Sequence, residues 1–157
     1  MTFQIEGIPA ARFAPLFGLS DEALTALGAV RRIADRKPGF PCRVSLKDAE
    51  PGEPVLLVNF EHQPTPTPYQ ARHAVYVREF AQPATPAPGE VPEVLRGRLL
   101  SLRAFDAAGW LLDAEVVDGR ALEPVLKRLL EPSAVAYVHL HNAKPGCYAA
   151  RAVRAPL

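Results

Sequence analysis

The closing stretch YVHLHNAKPGCYAAR, residues 137–151, brings two imidazoles and a thiol into one short run. Read as a β-hairpin, its alternation sends His139 and His141 to the same face. The connection 142–146 fits a hairpin loop of ~2–5 residues. Pairing His141 with Cys147 adds the sulfur to that face and sets His139 opposite Ala149, with paired Cβ atoms ~4.5–5.5 Å apart. A slip of one residue sends Cys147 to the other face, so the chemistry depends on register.

Several chemistries compete for this group. His139 and His141 form a bidentate pair for zinc, and Cys147, Cys42 or His73 would complete a tetrahedral shell. The spacing matches no paired CxxC pattern. Alternatively, a histidine activates Cys147 as a nucleophile, with Glu79, Asp106 or Asp48 orienting the ring. A phosphatase loop is excluded, because the arginine it needs six positions after the cysteine is Val153 or Asp48 here. In the structural reading, the thiol is a small core group and the histidines satisfy buried hydrogen bonds.

A pocket for a small polar or anionic molecule is a further reading. Arg43, Arg78, Arg98, Arg103 and Arg151 lie in or beside expected strands, where a guanidinium needs a carboxylate or an anionic ligand. Ion pairs of Arg103 with Asp106 and of Arg78 with Glu79 are the simpler expectation. Asp113 and Glu115 share a strand face that reads as solvated. The chain has no GxGxxG or Walker-type loop, no GxSxG elbow and no HExxH.

Bulk composition bounds the rest. The 157 residues suit one domain, 1–157; 48% are hydrophobic and 22% charged, as in globular proteins. A net charge of +1 without a basic tract argues against nucleic acid as a partner. Two cysteines make no disulfide framework. The start MTFQIEGIPAARF lacks a secretory pattern, and no apolar run is long enough to cross a membrane. Cytoplasmic location and reduced thiols are the resulting expectation.

The elements that must position the site begin with a short strand at 3–8. A helix over about 20–34 follows, capped by Ser20 with Asp21 and Glu22 in its first turn, and with Leu24, Leu27 and Val30 inward. Pro38-Gly39-Phe40-Pro41-Cys42-Arg43 forms a stiff loop. Strands are expected at 44–46, 54–60, 73–80, 98–105, 111–117, 134–141 and 147–154. In 73–80, His73, Val75 and Val77 share a face. Two proline-rich loops, 63–69 and 82–92, account for many of the 17 prolines. A second helix spans 119–130, with Leu122, Val125, Leu126 and Leu129 inward. This order favours an α+β domain with a mostly antiparallel twisted sheet and two main helices.

The segments PGFPCR (38–43), HAVYVREF (73–80), RLLSLRAFD (98–106) and HLHNAKPGCYAAR (139–151) resemble a bacterial family of uncharacterised single-domain proteins, a domain of unknown function. The likeness extends to FQIEGI and LSDEAL near the start. It implies a complete single-domain member and supplies no activity, cofactor or catalytic residue.

The resulting site expectation is a pocket formed by the PGFPCR loop, the start of the 73–80 strand and the closing hairpin. His139, His141 and Cys147 are its catalytic candidates, or its metal ligands in the zinc reading. Cys42, Arg43, His73, Arg103 and Arg151 are its candidate ligand-binding residues. Oligomeric state is left open by these features.

Overall fold

The computed structural model describes residues 1–157. The chain is α+β, with two antiparallel sheets and few helices. The strands are β1 (Phe3–Glu6), β2 (Val30–Ile33), β3 (Pro54–Gln63), β4 (Ala71–Arg78), β5 (Leu99–Phe105), β6 (Leu111–Asp118), β7 (Tyr137–Asn142) and β8 (Tyr148–Arg154). The helices are α1 (Asp21–Ala26), α2 (Glu93–Arg96) and α3 (Leu122–Leu130). One sheet has the order β1-β8-β7-β5-β6 and the other β2-β3-β4. No helix is long and apolar enough to cross a membrane.

The first helix starts as expected and stops early. The Ser20 hydroxyl accepts from the Ala23 N–H at 3.1 Å, and Asp21 and Glu22 face the positive helix end. Gly28 then takes φ +75°, and the amides of Gly28 and Ala29 bond back to the carbonyls of Thr25 and Leu24. That is a glycine-terminated helix end. The following Val-Arg-Arg-Ile pairs with β3 as a strand, from Val30 opposite Leu57 to Ile33 opposite Pro54. The expected helix over 20–34 is thus a six-residue helix followed by a strand. Leu24 is buried, but Leu27 and Val30 are exposed, contrary to the periodicity. The expected strand at 44–46 is a turn, with Leu46 at φ +52°.

The second helix agrees with its stripe. Leu122, Leu126, Leu129 and Leu130 are buried and pack with Leu100, Leu102, Ala104, Val138, Leu140, Ala150 and Ala152. Period-two alternation therefore gives one face of the five-stranded sheet to α3. The opposite face of β7 and β8 meets the three-stranded sheet, where Val58, Phe60, Val75, Val77 and Tyr148 fill a second apolar layer. Residues on this inter-sheet face build the site.

Gly119 joins β6 to α3 at a close approach. A Cβ there would lie 1.8 Å from the Leu95 carbonyl oxygen and 2.9 Å from the Arg96 Cα. Both are backbone atoms that cannot rotate away. Gly119→Ala is expected to cost about 2–3 kcal/mol by overpacking, lowering the melting temperature by roughly 4–12 °C. A melting curve superimposable on that of the unaltered chain would contradict this packing.

Candidate metal centre

Between the sheets, the apolar stripes of β3 and β4 both end in imidazole. On β3 the inward series Val58 and Phe60 continues to His62; on β4, Val77 and Val75 lead to His73. From the other sheet, β7 contributes His139 and His141, because Val138 and Leu140 are committed to the α3 core. The chain has four histidines, and all four converge here. Their clustering from three separate strands is what distinguishes this place from an ordinary buried histidine.

The geometry is close. The His62 and His73 rings stack with centroids 4.7 Å apart and planes 1° from parallel. His141 stands edge-on to both, at 5.0 Å from His62 and 5.2 Å from His73. His139 lies 5.4 Å from His62 and 6.3 Å from His141. Tyr148 stacks on the outer face of His62 at 5.1 Å. One nitrogen from each of His62, His73 and His141 falls within 4.8 Å of the other two. Ligation by nitrogens at ~2.0–2.1 Å would require the rings to draw inward and the stacked His62 and His73 planes to tilt, because an imidazole lone pair lies in its ring plane.

The protonation state suits ligation. Burial, with help from neighbouring positive charge, pushes His62 down to about 4 and His139 and His141 down to about 3. His73 is also lowered, chiefly by burial and then by Arg103. All four rings are therefore neutral at pH 7, the form that offers a lone pair. His141 Nδ1 lies 3.1 Å from the Gly146 carbonyl, which can only accept. That contact places the proton on Nδ1 and leaves Nε2 as a bare acceptor, the arrangement usual in metal-ligating histidines. Nε2 of His141, both nitrogens of His62 and Nδ1 of His73 and His139 are buried without a hydrogen-bond partner. Unpaired buried polar atoms cost about 1–3 kcal/mol each, and five of them are concentrated at this one point.

The hairpin register departs from simple pairing. A bulge between Leu140 and His141 places Tyr148 opposite His141, and His139 faces Arg151 rather than Ala149. Cys147 consequently turns to Arg43 and Asn142: its sulfur accepts from Arg43 Nη2 at 3.0 Å and lies 3.7 Å from Asn142 Nδ2. It is not among the nitrogens that converge. Cys42 is buried in the inter-sheet layer, where its sulfur accepts backbone N–H groups from Ser45 and Arg78. Of the expected pocket members, the structure joins His73 to His139 and His141. It adds His62, which lies just beyond the strand anticipated at 54–60.

The arginines divide. Arg43 is buried and donates to the carbonyls of Tyr148 at 2.8 Å and Pro41 at 2.7 Å as well as to Cys147. It fastens the PGFPCR loop to the start of β8 and holds the hairpin bulge in place. Arg43→Met leaves those two carbonyls unpaired and is expected to destabilise the protein by about 2–4 kcal/mol. Urea denaturation would measure it, and an unchanged midpoint would contradict the fastening role. Arg151 pairs with Glu6 at 3.2 Å and covers the Tyr137 ring at 4.8 Å. Arg78 pairs with Glu53 rather than Glu79, and Glu79 pairs with Arg31. Asp106 caps its own turn through the amides of Ala108 and Trp110, leaving Arg103 without that partner. Asp113 and Glu115 are exposed, as expected, and meet Arg128.

A cleft of about 430 Å³ reaches His62 from solvent, with Glu6, Arg12, Glu61, Tyr148 and Arg151 on its walls. A larger depression of about 930 Å³ contains no histidine. Among its charged lining residues, Lys37 pairs with Glu50, Asp48 with Arg98, Arg78 with Glu53 and Glu79 with Arg31.

Fold and site together define a two-sheet α+β protein with a tetra-histidine cluster between the sheets. The chain belongs to the family described as Protein of unknown function (DUF1203), which matches residues 39–154. All four histidines and Arg103 lie within that span. No curated protein and no solved structure matches the chain.

Proposed function

We propose that this is a metal-binding protein in which His62, His73 and His141 hold one divalent transition-metal ion at a site of the catalytic type. The observation that carries the reading is the convergence of three neutral imidazoles, one nitrogen of each within 4.8 Å of the other two, at a place where both nitrogens of His62, Nδ1 of His73 and Nε2 of His141 lack a hydrogen-bond partner. An all-imidazole set suits zinc, copper, iron or nickel, and not magnesium or calcium, which take oxygen ligands. Zinc is the reference ion, as the commonest partner of a three-histidine set with an open fourth position. Three protein ligands leave that position to water or substrate, whereas a closed structural site uses four.

Bound metal would act as a Lewis acid and lower the pKa of its water. The chain's own residues supply the setting. Gly146 fixes the tautomer of His141, Tyr148 packs against His62, and His139 stands beside His62 and His141 as a fourth neutral imidazole. The cleft beside His62 brings solvent to the edge of the cluster. Metal analysis after loading with zinc and desalting tests the reading. One equivalent per chain is expected; less than a tenth of an equivalent, with no competition against a chromogenic chelator, would overturn it.

A further inference from the structure

Arg103 is the arginine on the site's face that nothing in the protein neutralises. It sits on β5 in register with His139 on β7, pointing away from the α3 core to which Leu102 and Ala104 are committed. Paired residues of this kind have Cβ atoms ~4.5–5.5 Å apart. Arg103 makes no ion pair and no side-chain hydrogen bond, unlike Arg31, Arg78, Arg98 and Arg151. It is partly buried, as is His73, while His62, His139 and His141 are buried. An unpaired guanidinium in that position carries a desolvation cost with no visible return.

The charge balance of the site points the same way. None of the residues whose donor atoms converge is a carboxylate or thiolate. A divalent ion on three neutral imidazoles, with Arg103 alongside, therefore carries uncompensated positive charge in a poorly solvated space. A negatively charged co-ligand removes that excess. Arg103 presents a planar fork of donors suited to two oxygens of one anion.

We infer that Arg103 and the metal position together form a binding site for a small oxyanion of the carboxylate or phosphate class, with one oxygen on the ion and the rest of the group on the guanidinium. The inference rests on the metal reading above and extends it to the chemistry of the ligand. Arg103 is the specificity determinant: it selects anions and makes no bond to the ion.

Cobalt substitution tests this with two separate readouts. Cobalt bound per chain reports on the histidines; the change in its visible absorption bands on adding inorganic phosphate or acetate reports on the anion. Wild-type protein is expected to bind one cobalt and to show a saturable spectral change with at least one of the two anions. Arg103→Met should keep the cobalt and require at least ten-fold more anion, with Arg103→Lys intermediate. The stronger of the two probes assigns the site to phosphate or to carboxylate. Cobalt binding with no anion response in wild type, or with equal responses in wild type and Arg103→Met, would overturn the oxyanion site and leave the metal site standing. Absence of cobalt would overturn the metal reading instead. The anion site would then survive only if phosphate or acetate raised the melting temperature of wild type and not of Arg103→Met.

Discussion

Replacing His141 with alanine is expected to abolish the stabilisation that zinc confers on the wild-type protein. A ligand bound only to the folded state, at a free concentration 1,000 times its Kd, stabilises by about 4 kcal/mol. For a chain of this size that corresponds to a rise of roughly 8–16 °C in melting temperature. His141 is the ligand to remove because its tautomer is fixed by Gly146 and its Nε2 is otherwise orphaned. Its loss also makes a cavity, so the metal-free variant melts lower. The diagnostic quantity is the difference between zinc-loaded and metal-free protein, which should fall to near zero. His62→Ala and His73→Ala should behave alike. Cys147→Ser should retain the full zinc response, because that sulfur is engaged by Arg43 and Asn142. A zinc response that survives His141→Ala but disappears in Cys147→Ser would contradict the assignment.

Mild acid should destabilise the metal-free protein well before its carboxylates titrate. His139 and His141 sit near pKa 3 when folded, against ~6.5 for an exposed histidine. The unfolded chain therefore binds more protons between those values, and stability falls as pH drops below about 6.5. From pH 6.5 to pH 5 each of these two histidines contributes a loss of about 1.5–2 kcal/mol. Together this is a fall of roughly 6–16 °C in melting temperature. His62 acts in the same direction. Glu53, Glu79 and Glu123 are held below their ordinary range, so their stabilisation is lost only on further acidification and does not confuse this window. Thermal melts in chelator from pH 7.5 to 5 measure the slope. Equal melting temperatures at pH 7 and pH 5 would contradict buried neutral histidines. Zinc should move the onset of the fall to lower pH, since ion and proton compete for the same nitrogens.

The part of this site legible in the chain was the part set by local alternation. His139 and His141 share a face because the strand repeat is two. His73 shares one with Val75 and Val77 for the same reason, and both groups point where expected. Cys147 could not be placed that way: the bulge after Leu140 shifts the register by one, and alternation contains no signal for an inserted residue. His62 was missed because β3 runs to Gln63, past its most apolar portion. Extending the alternation from Val58 and Phe60 by one step would have included it. The meeting of β3 and β4 with β7 is a long-range contact between two sheets, and no local pattern specifies it. The first helix failed for a different reason. Its apolar spacing continued through Gly28, but the glycine ended the helix and the β-branched ends of Val-Arg-Arg-Ile continued as a strand.

Three imidazoles from two facing sheets sharing one ion leave a direct spectroscopic signature. X-ray absorption at the zinc edge, on the full chain loaded with one equivalent, counts those ligands directly. At least three imidazole nitrogens at about 2.0–2.1 Å are expected, with light-atom scattering in the remaining position. A sulfur shell at about 2.3 Å, or a spectrum of hydrated zinc without imidazole scattering, would contradict this ligation.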